Sequence, residues 1–303
     1  MGRIAPVAVG PSSNEARDNS STYVNQKRDL MKHRMLLAAA IASVATSVNA
    51  HTICTVVTDP GSGKILVEQG NCSIRTTPAS TFKIAISLMG YDSGFLKDAH
   101  TPTLQFQEGY PDWGGVAWKQ PTDPTSWIKY SVVWFSQQVT KSLGMDRFAD
   151  YAKKFDFGNA DVAGDRRHPD GLTHAWIDSS LQISPLEQVA FLTKLVNHKL
   201  PASEHAFAMT EQITEVTQLS DGWDVHGKTG TGFPANADGS DDRTRGWGWF
   251  VGWARRDGKT LVFARLIQDD GTGPQKTPVG LRARDAFLSE FHSQIASLAS
   301  SKS

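Results

Sequence analysis

Pro78-Ala79-Ser80-Thr81-Phe82-Lys83-Ile84-Ala85-Ile86-Ser87-Leu88-Met89 is the stretch on which the reading of this 303-residue chain turns. A serine three residues ahead of a lysine, opening an apolar run that predicts a helix, carries hydroxyl and amine on one helical face within reach of each other. Such a pair activates a serine without a histidine. Pro78 suits the start of a helix, and first-turn N–H groups, which lack intrahelical partners, are placed to stabilise an oxyanion. The segment therefore points to acyl transfer. Alone, Ser-x-x-Lys is a common coincidence, and the plain alternative is a helix start with a solvated lysine. Two later segments set it in an ordered series: Tyr130-Ser131-Val132-Val133, then His226-Gly227-Lys228-Thr229-Gly230-Thr231-Gly232.

That order is similar to the signature of serine β-lactamases and penicillin-binding proteins. The middle segment selects a branch. Class A β-lactamases carry Ser-Asp-Asn there and transpeptidases usually Ser-x-Asn, so their lysine faces an amide; here the third position is Val133. Apolar surroundings withdraw support from an ammonium, and burial lowers a lysine pKa by up to about 3 to 5 units from a reference near 10.4. A neutral, buried amine is able to add carbon dioxide. With Phe157-Gly158-Asn159 and the segment from Ala175-Trp176-Ile177-Asp178 to Ser184-Pro185, the chain resembles the class D β-lactamases, the oxacillinase family, from about Cys54 to about Phe291.

The resemblance implies hydrolysis of penicillin-type β-lactams through an acyl-enzyme on Ser80, with carboxylated Lys83 as general base in both half-reactions. It implies that Ser131 relays a proton to the leaving nitrogen, that Val133 borders the lysine pocket, and that the Trp176 indole N–H donates to the carbamate. Lys228 and Thr229, followed by Gly230, would bind the substrate carboxylate, with Arg282 completing that anchor. The amides of Ser80 and Phe233 would form the oxyanion hole. Trp176 also reads as an ordinary core aromatic, and Arg282 as an exposed helix arginine. Carbon dioxide or bicarbonate is the one small molecule required beyond substrate. Two other readings stay open: a penicillin-binding sensor acylated without turnover, and a transpeptidase, which Val133 disfavours. Phe157 stands where many members have tyrosine, so Phe157-Gly158-Asn159 reads as structural.

The fold expected is α/β of the α+β type, similar to the β-lactamase/transpeptidase architecture: one antiparallel sheet from the N- and C-terminal regions, flanked by helices, with a helical lobe inserted over roughly 80–220. Residues 52–58 and 64–69 read as hairpin strands about Asp59-Pro60-Gly61-Ser62-Gly63. Residues 247–254 and 260–268 read as strands joined by a turn over 255–259. Residues 185–197 predict a helix, and 281–298 a closing helix with the stripe Leu281, Phe287, Leu288, Phe291, Ile295 and Leu298. Lys228-Thr229-Gly230 should lie on a strand facing the cleft.

Residues 31–50 run from Met-Lys-His-Arg through an apolar core to Val48-Asn49-Ala50, a secretory signal peptide too short to remain as an anchor. The mature chain would then begin at His51 and work in the periplasm or outside the cell, with no permanent membrane anchor. Residues 1–30 read as an upstream extension, or as a genuine disordered prefix. Without residues 1–50 the chain has 25 Lys and Arg against 28 Asp and Glu. No basic patch calls for nucleic acid. Cys54 and Cys72, the two cysteines, would face each other across a turn centred on Gly63, and pair as a disulfide or stay as buried thiols. Lys97, Asp98, Asp165, Arg166 and Arg167 read as solvated surface. His168 and His174 are the one histidine pair near metal-ligand spacing, in a Pro/Gly-interrupted loop that makes a poor zinc site.

Overall fold

The computed structural model describes residues 50–273 and 275–300. The proposed prefix and signal peptide, apart from Ala50, lie outside the described residues. Ala50 opens a strand and is paired with Asp269.

Six strands form one sheet in the order β2-β1-β6-β5-β4-β3, every neighbouring pair antiparallel. They are β1 (Ala50–Thr58), β2 (Ile65–Gly70), β3 (Val216–Gln218), β4 (Asp224–Gly232), β5 (Trp247–Arg256) and β6 (Lys259–Asp269). The strands of the β5–β6 hairpin run longer than the sequence reading. Only Asp257 and Gly258 are left as the turn, both at positive φ (49° and 73°), as a two-residue hairpin loop requires. β3 was not foreseen: it has three residues, all exposed, so no apolar alternation announces it.

Trp249, Val251 and Trp253 face the main core beneath the helical lobe, while Phe250 and Ala254 pack with Phe263, Phe287 and Phe291 on the other face. A strand buried on both faces reads as a continuous apolar run, which is why β5 shows no clean alternation.

Between β2 and β3 the chain builds α1 (Lys83–Asp92), α2 (Pro124–Tyr130), α3 (Val133–Lys154, two helices merged across Gly144), α4 (Pro185–Val196) and α5 (Glu204–Ile213); α6 (Val279–Ser300) closes the fold. α2 and α4 start with reciprocal capping boxes, Asp123 with Ser126 and Ser184 with Glu187, each with proline in the first turn. Leu288 and Phe291 of the expected α6 stripe are packed as read, and Ile295 and Leu298 fall outside the residues whose side chains are described.

Cys54 and Cys72 form a disulfide with their Cα atoms 5.0 Å apart. They are not strand partners, however. Cys54 sits opposite Gly70, and Cys72 follows after a turn at Gly70, whose φ is 85°. A Cβ on Gly70 would lie 2.1 Å from the Ile53 carbonyl oxygen, so the approach excludes any side chain there.

Candidate active site

Ser80 does not open an α-helix directly. It lies in a 3-10 turn, Ala79–Phe82, that runs into α1. In a 3-10 turn residues i and i+3 eclipse, which brings Lys83 Nζ to 3.1 Å from Ser80 Oγ. Ala79, just before the serine, has φ 48°, a costly conformation for a residue with a Cβ. The turn is pinned by Thr81, whose hydroxyl donates to the Pro78 carbonyl at 2.7 Å and accepts from Gln188 at 3.0 Å.

Lys83 is wholly buried. Burial first, and then the charge of Lys228, hold its amine well below the ordinary lysine range. Trp176 is also wholly buried, its ring 5.9 Å from Phe82 and 6.2 Å from Phe148, and its indole N–H has no partner among the described residues. Buried donors are nearly always satisfied. The segment carrying Trp176 is fixed by Asn159, which accepts from the Gln182 amide at 2.9 Å and donates to the Ser180 carbonyl at 2.8 Å. Phe157 packs its ring 4.7 Å from Phe82 and 5.0 Å from Phe191. The Phe-Gly-Asn segment is scaffold.

Across the cleft, Ser131 caps α2 in the left-handed conformation (φ 58°), and its hydroxyl accepts from Lys228 Nζ at 3.0 Å. Lys228 also donates to the Thr229 carbonyl at 3.0 Å. Burial lowers the Lys228 pKa to about 8, partly opposed by Glu215 and reinforced by Arg284. Val133, buried at the start of α3, lines the same cleft, of about 760 Å³, together with Ser80, Ser131, Lys228, Thr229 and Gly230. Gly230 is where β4 meets the serine turn. A Cβ there would fall 2.8 Å from the Pro78 oxygen and 3.3 Å from the Ser80 nitrogen.

Two residues, Phe233 and Arg167, sit differently from the sequence reading. The Phe233 amide, expected in the oxyanion hole, donates to Asp178 Oδ1 at 3.0 Å. Phe233 lies past the end of β4 at Gly232, where its amide meets Asp178. Gly227 N–H points off the β5 side of β4, to the Glu215 carbonyl at 3.0 Å, and alternation turns the Thr229 and Thr231 amides to that same edge, where the Ser80 turn packs. Thr231, a cleft residue, thus has its amide on the edge beside the serine turn. Counting by twos from Gly227 ends at Thr231 because β4 stops at Gly232, and the phase itself is set by Glu215, outside the strand. Arg282 lines the cleft as read, with Nη2 held by both Asp269 oxygens at 2.6 and 2.7 Å and Nη1 without a partner among the described residues; Arg284, on the same helix, adds to the lowering of the Lys228 pKa. Arg167, read as solvated, donates to the Asp178 carbonyl and is largely buried.

Asp178 is itself buried, and accepts from Thr77 at 3.2 Å as well as from Phe233. Burial pushes its carboxyl up to about 6. His168 and His174 stack ring on ring, 5.1 Å apart, and no group of three or more His, Cys, Asp or Glu side chains able to hold a metal is present among the described residues. No helix among them is long and apolar enough to cross a membrane.

The family model for the penicillin-binding protein transpeptidase domain matches residues 53–287. β-Lactamase OXA-9 of Klebsiella pneumoniae is 42% identical over 269 residues, 88% of this chain and 97% of that one. The crystal structure of the OXA-427 class D β-lactamase superposes with a TM-score of 0.75 at 46% identity, over 82% of this chain and all of that one. The C-terminal domain of the Bacillus licheniformis BlaR penicillin receptor shares the fold at 26% identity and a TM-score of 0.67, over 81% of this chain and 91% of that one. With its serine and lysine in contact beside the Lys-Thr-Gly strand, this chain belongs to the class D, oxacillinase-type serine β-lactamases.

Proposed function

We propose that this β-lactamase hydrolyses penicillin-type antibiotics through an ester on Ser80, using N-carboxylated Lys83 as the base. The observation that carries the proposal is the 3.1 Å contact between Ser80 Oγ and a fully buried Lys83 amine. An added carboxylate fits the surroundings: the orphaned indole N–H of Trp176 is a donor with nothing to accept, and it favours an anion over an ammonium. When carboxylated, Lys83 would supply an anionic general base for forming the ester and for hydrolysing it.

The remaining roles follow from the cleft's own atoms. Ser80 Oγ gives up its proton on the Lys83 side and attacks the lactam carbonyl, whose oxygen is received by the amides of Ser80 and Thr231. Ser131 Oγ, with a lone pair taken by Lys228, relays the proton removed from Ser80, giving its own to the departing lactam nitrogen and receiving that one in exchange. Lys228, the Thr229 hydroxyl and Arg282 hold the substrate carboxylate, and Arg284 adds to the positive field of that wall. Export through residues 31–50 to the periplasm belongs to the same proposal, and the Cys54–Cys72 disulfide supports an oxidising compartment. A producing cell would then resist penicillins.

Protein equilibrated with ¹³C-bicarbonate tests the base directly. Wild type should give a carbamate carbon signal that Lys83→Ala lacks, and activity should fall at mildly acidic pH and recover with bicarbonate. Full activity with no such signal would contradict the assignment.

A further inference from the structure

With the substrate carboxylate at Lys228 and its lactam carbonyl between the amides of Ser80 and Thr231, the acyl side chain of a penicillin runs along β4 toward Phe233. Phe233 lies two residues beyond Thr231, about 7 Å at 3.3 Å each, within reach of a penicillin's acyl group. There the wall is a stacked pair: the Arg243 guanidinium carbon lies 5.0 Å from the centre of the Phe233 ring, and both residues line the cleft. Phe233 is held in place. Its amide is bonded to Asp178, and its ring lies so close to Gly246 that a Cβ there would be 2.9 Å from the ring edge. The ring thus offers a fixed face on which the guanidinium rests.

The loop from Phe233 to Gly246 carries Asp238, Asp241, Asp242, Arg243 and Arg245. Of these charged residues, Arg243 lines the cleft. Asp241 touches it at 3.4 Å, while 70% of the Arg243 side chain stays exposed. Ile177 adds apolar surface to the cleft lining, which carries the cations Lys129, Lys228, Lys276, Arg282 and Arg284 besides Arg243. An aryl ring carrying a negative charge matches this combination of aromatic face and guanidinium better than a neutral side chain does.

We propose that Arg243, stacked on Phe233, determines specificity by receiving a carboxylate on the acyl side chain of an aryl penicillin. This rests on the β-lactam reading above and deepens it. The test compares kcat/KM for α-carboxybenzylpenicillin with that for benzylpenicillin, at low and high salt, in wild type, Arg243→Gln, Arg243→Lys and Arg245→Gln. The ratio of the two should fall about five-fold in Arg243→Gln, recover in part in Arg243→Lys, and lose its salt dependence with the charge. Arg245→Gln removes the same charge from the same loop, but away from the cleft lining, and should leave the ratio where it was. A ratio unmoved by Arg243→Gln, or moved equally by Arg245→Gln, overturns the inference while benzylpenicillin turnover still stands. A wild type that hydrolyses neither compound overturns the β-lactam reading and this inference together.

Discussion

Lys83 has one hydrogen-bond partner among the described residues, Ser80 Oγ, where an ammonium would need three acceptors. Trp176 has a donor and no acceptor. Each side chain lacks what an added carboxylate would provide, so replacing the indole tests the pair. Trp176→Phe keeps most of the buried ring and removes the N–H. It should raise the bicarbonate concentration needed for half-maximal rate by roughly ten-fold, as loss of a hydrogen bond to a charged group would; an unchanged bicarbonate titration would count against the indole's role. Lys228 carries the other pH dependence. It is cationic below its pKa of about 8 and neutral above it, so KM for penicillins should climb as pH passes 8 while kcat changes less. A KM flat to pH 9.5 would mean that its charge does not hold the substrate. Ser80, Lys83, Ser131 and Lys228 were legible because each sits in a motif whose spacing encodes its placement. Phe233 was misplaced, and the ion pair of Arg282 unforeseen, because the direction of an amide and the partner of a guanidinium are decided by Asp178 and Asp269, which no local pattern reveals.

At the scale of elements, the cleft is assembled where β4 meets the serine turn, with Asp178 bonded to Thr77 ahead of that turn and to Phe233 after β4. The Asp178 carboxyl titrates near 6, raised from 3.8 by burial. Its sign is that of a destabilising ionisation: between about pH 4 and pH 6 the unfolded chain loses the proton while the folded chain keeps it, so stability declines as pH rises through that window and is flat above it. Asp178→Asn keeps an acceptor for the Phe233 amide and avoids the buried charge. It should therefore be more stable than wild type at pH 7, by about 2 kcal/mol, with the difference closing toward pH 4. Melting curves at both pH values measure this, and a variant less stable than wild type at pH 7 would show that the ionised carboxylate is a net stabiliser. Long elements were legible: α4 as a helical segment, and the β5–β6 hairpin from its β-branched and aromatic runs about the 255–259 turn. β3 and the 3-10 start of α1 were not, because three exposed residues and a single tight turn owe their form to neighbouring strands.

Over the whole molecule, the N- and C-terminal segments close one sheet: β1 lies between β2 and β6, and α6 covers the face opposite the helical lobe. That plan was legible because paired hairpins at the two ends, with helical segments between them, leave few alternatives. Its consequence is a nucleophile at the boundary between lobe and sheet, open to substrate on one side and backed on the other by a buried aromatic core. Such a site should take up a penicillin covalently and then release it. Intact mass of the mature chain, followed through a reaction with excess benzylpenicillin and bicarbonate, tests this most directly. A transient adduct of one penicillin mass on Ser80, absent in Ser80→Ala, followed by free enzyme and hydrolysed drug in large excess over protein, is the predicted result. A persistent adduct with one drug consumed per chain would make the protein a receptor, and absence of any adduct or hydrolysis would contradict the assignment of Ser80.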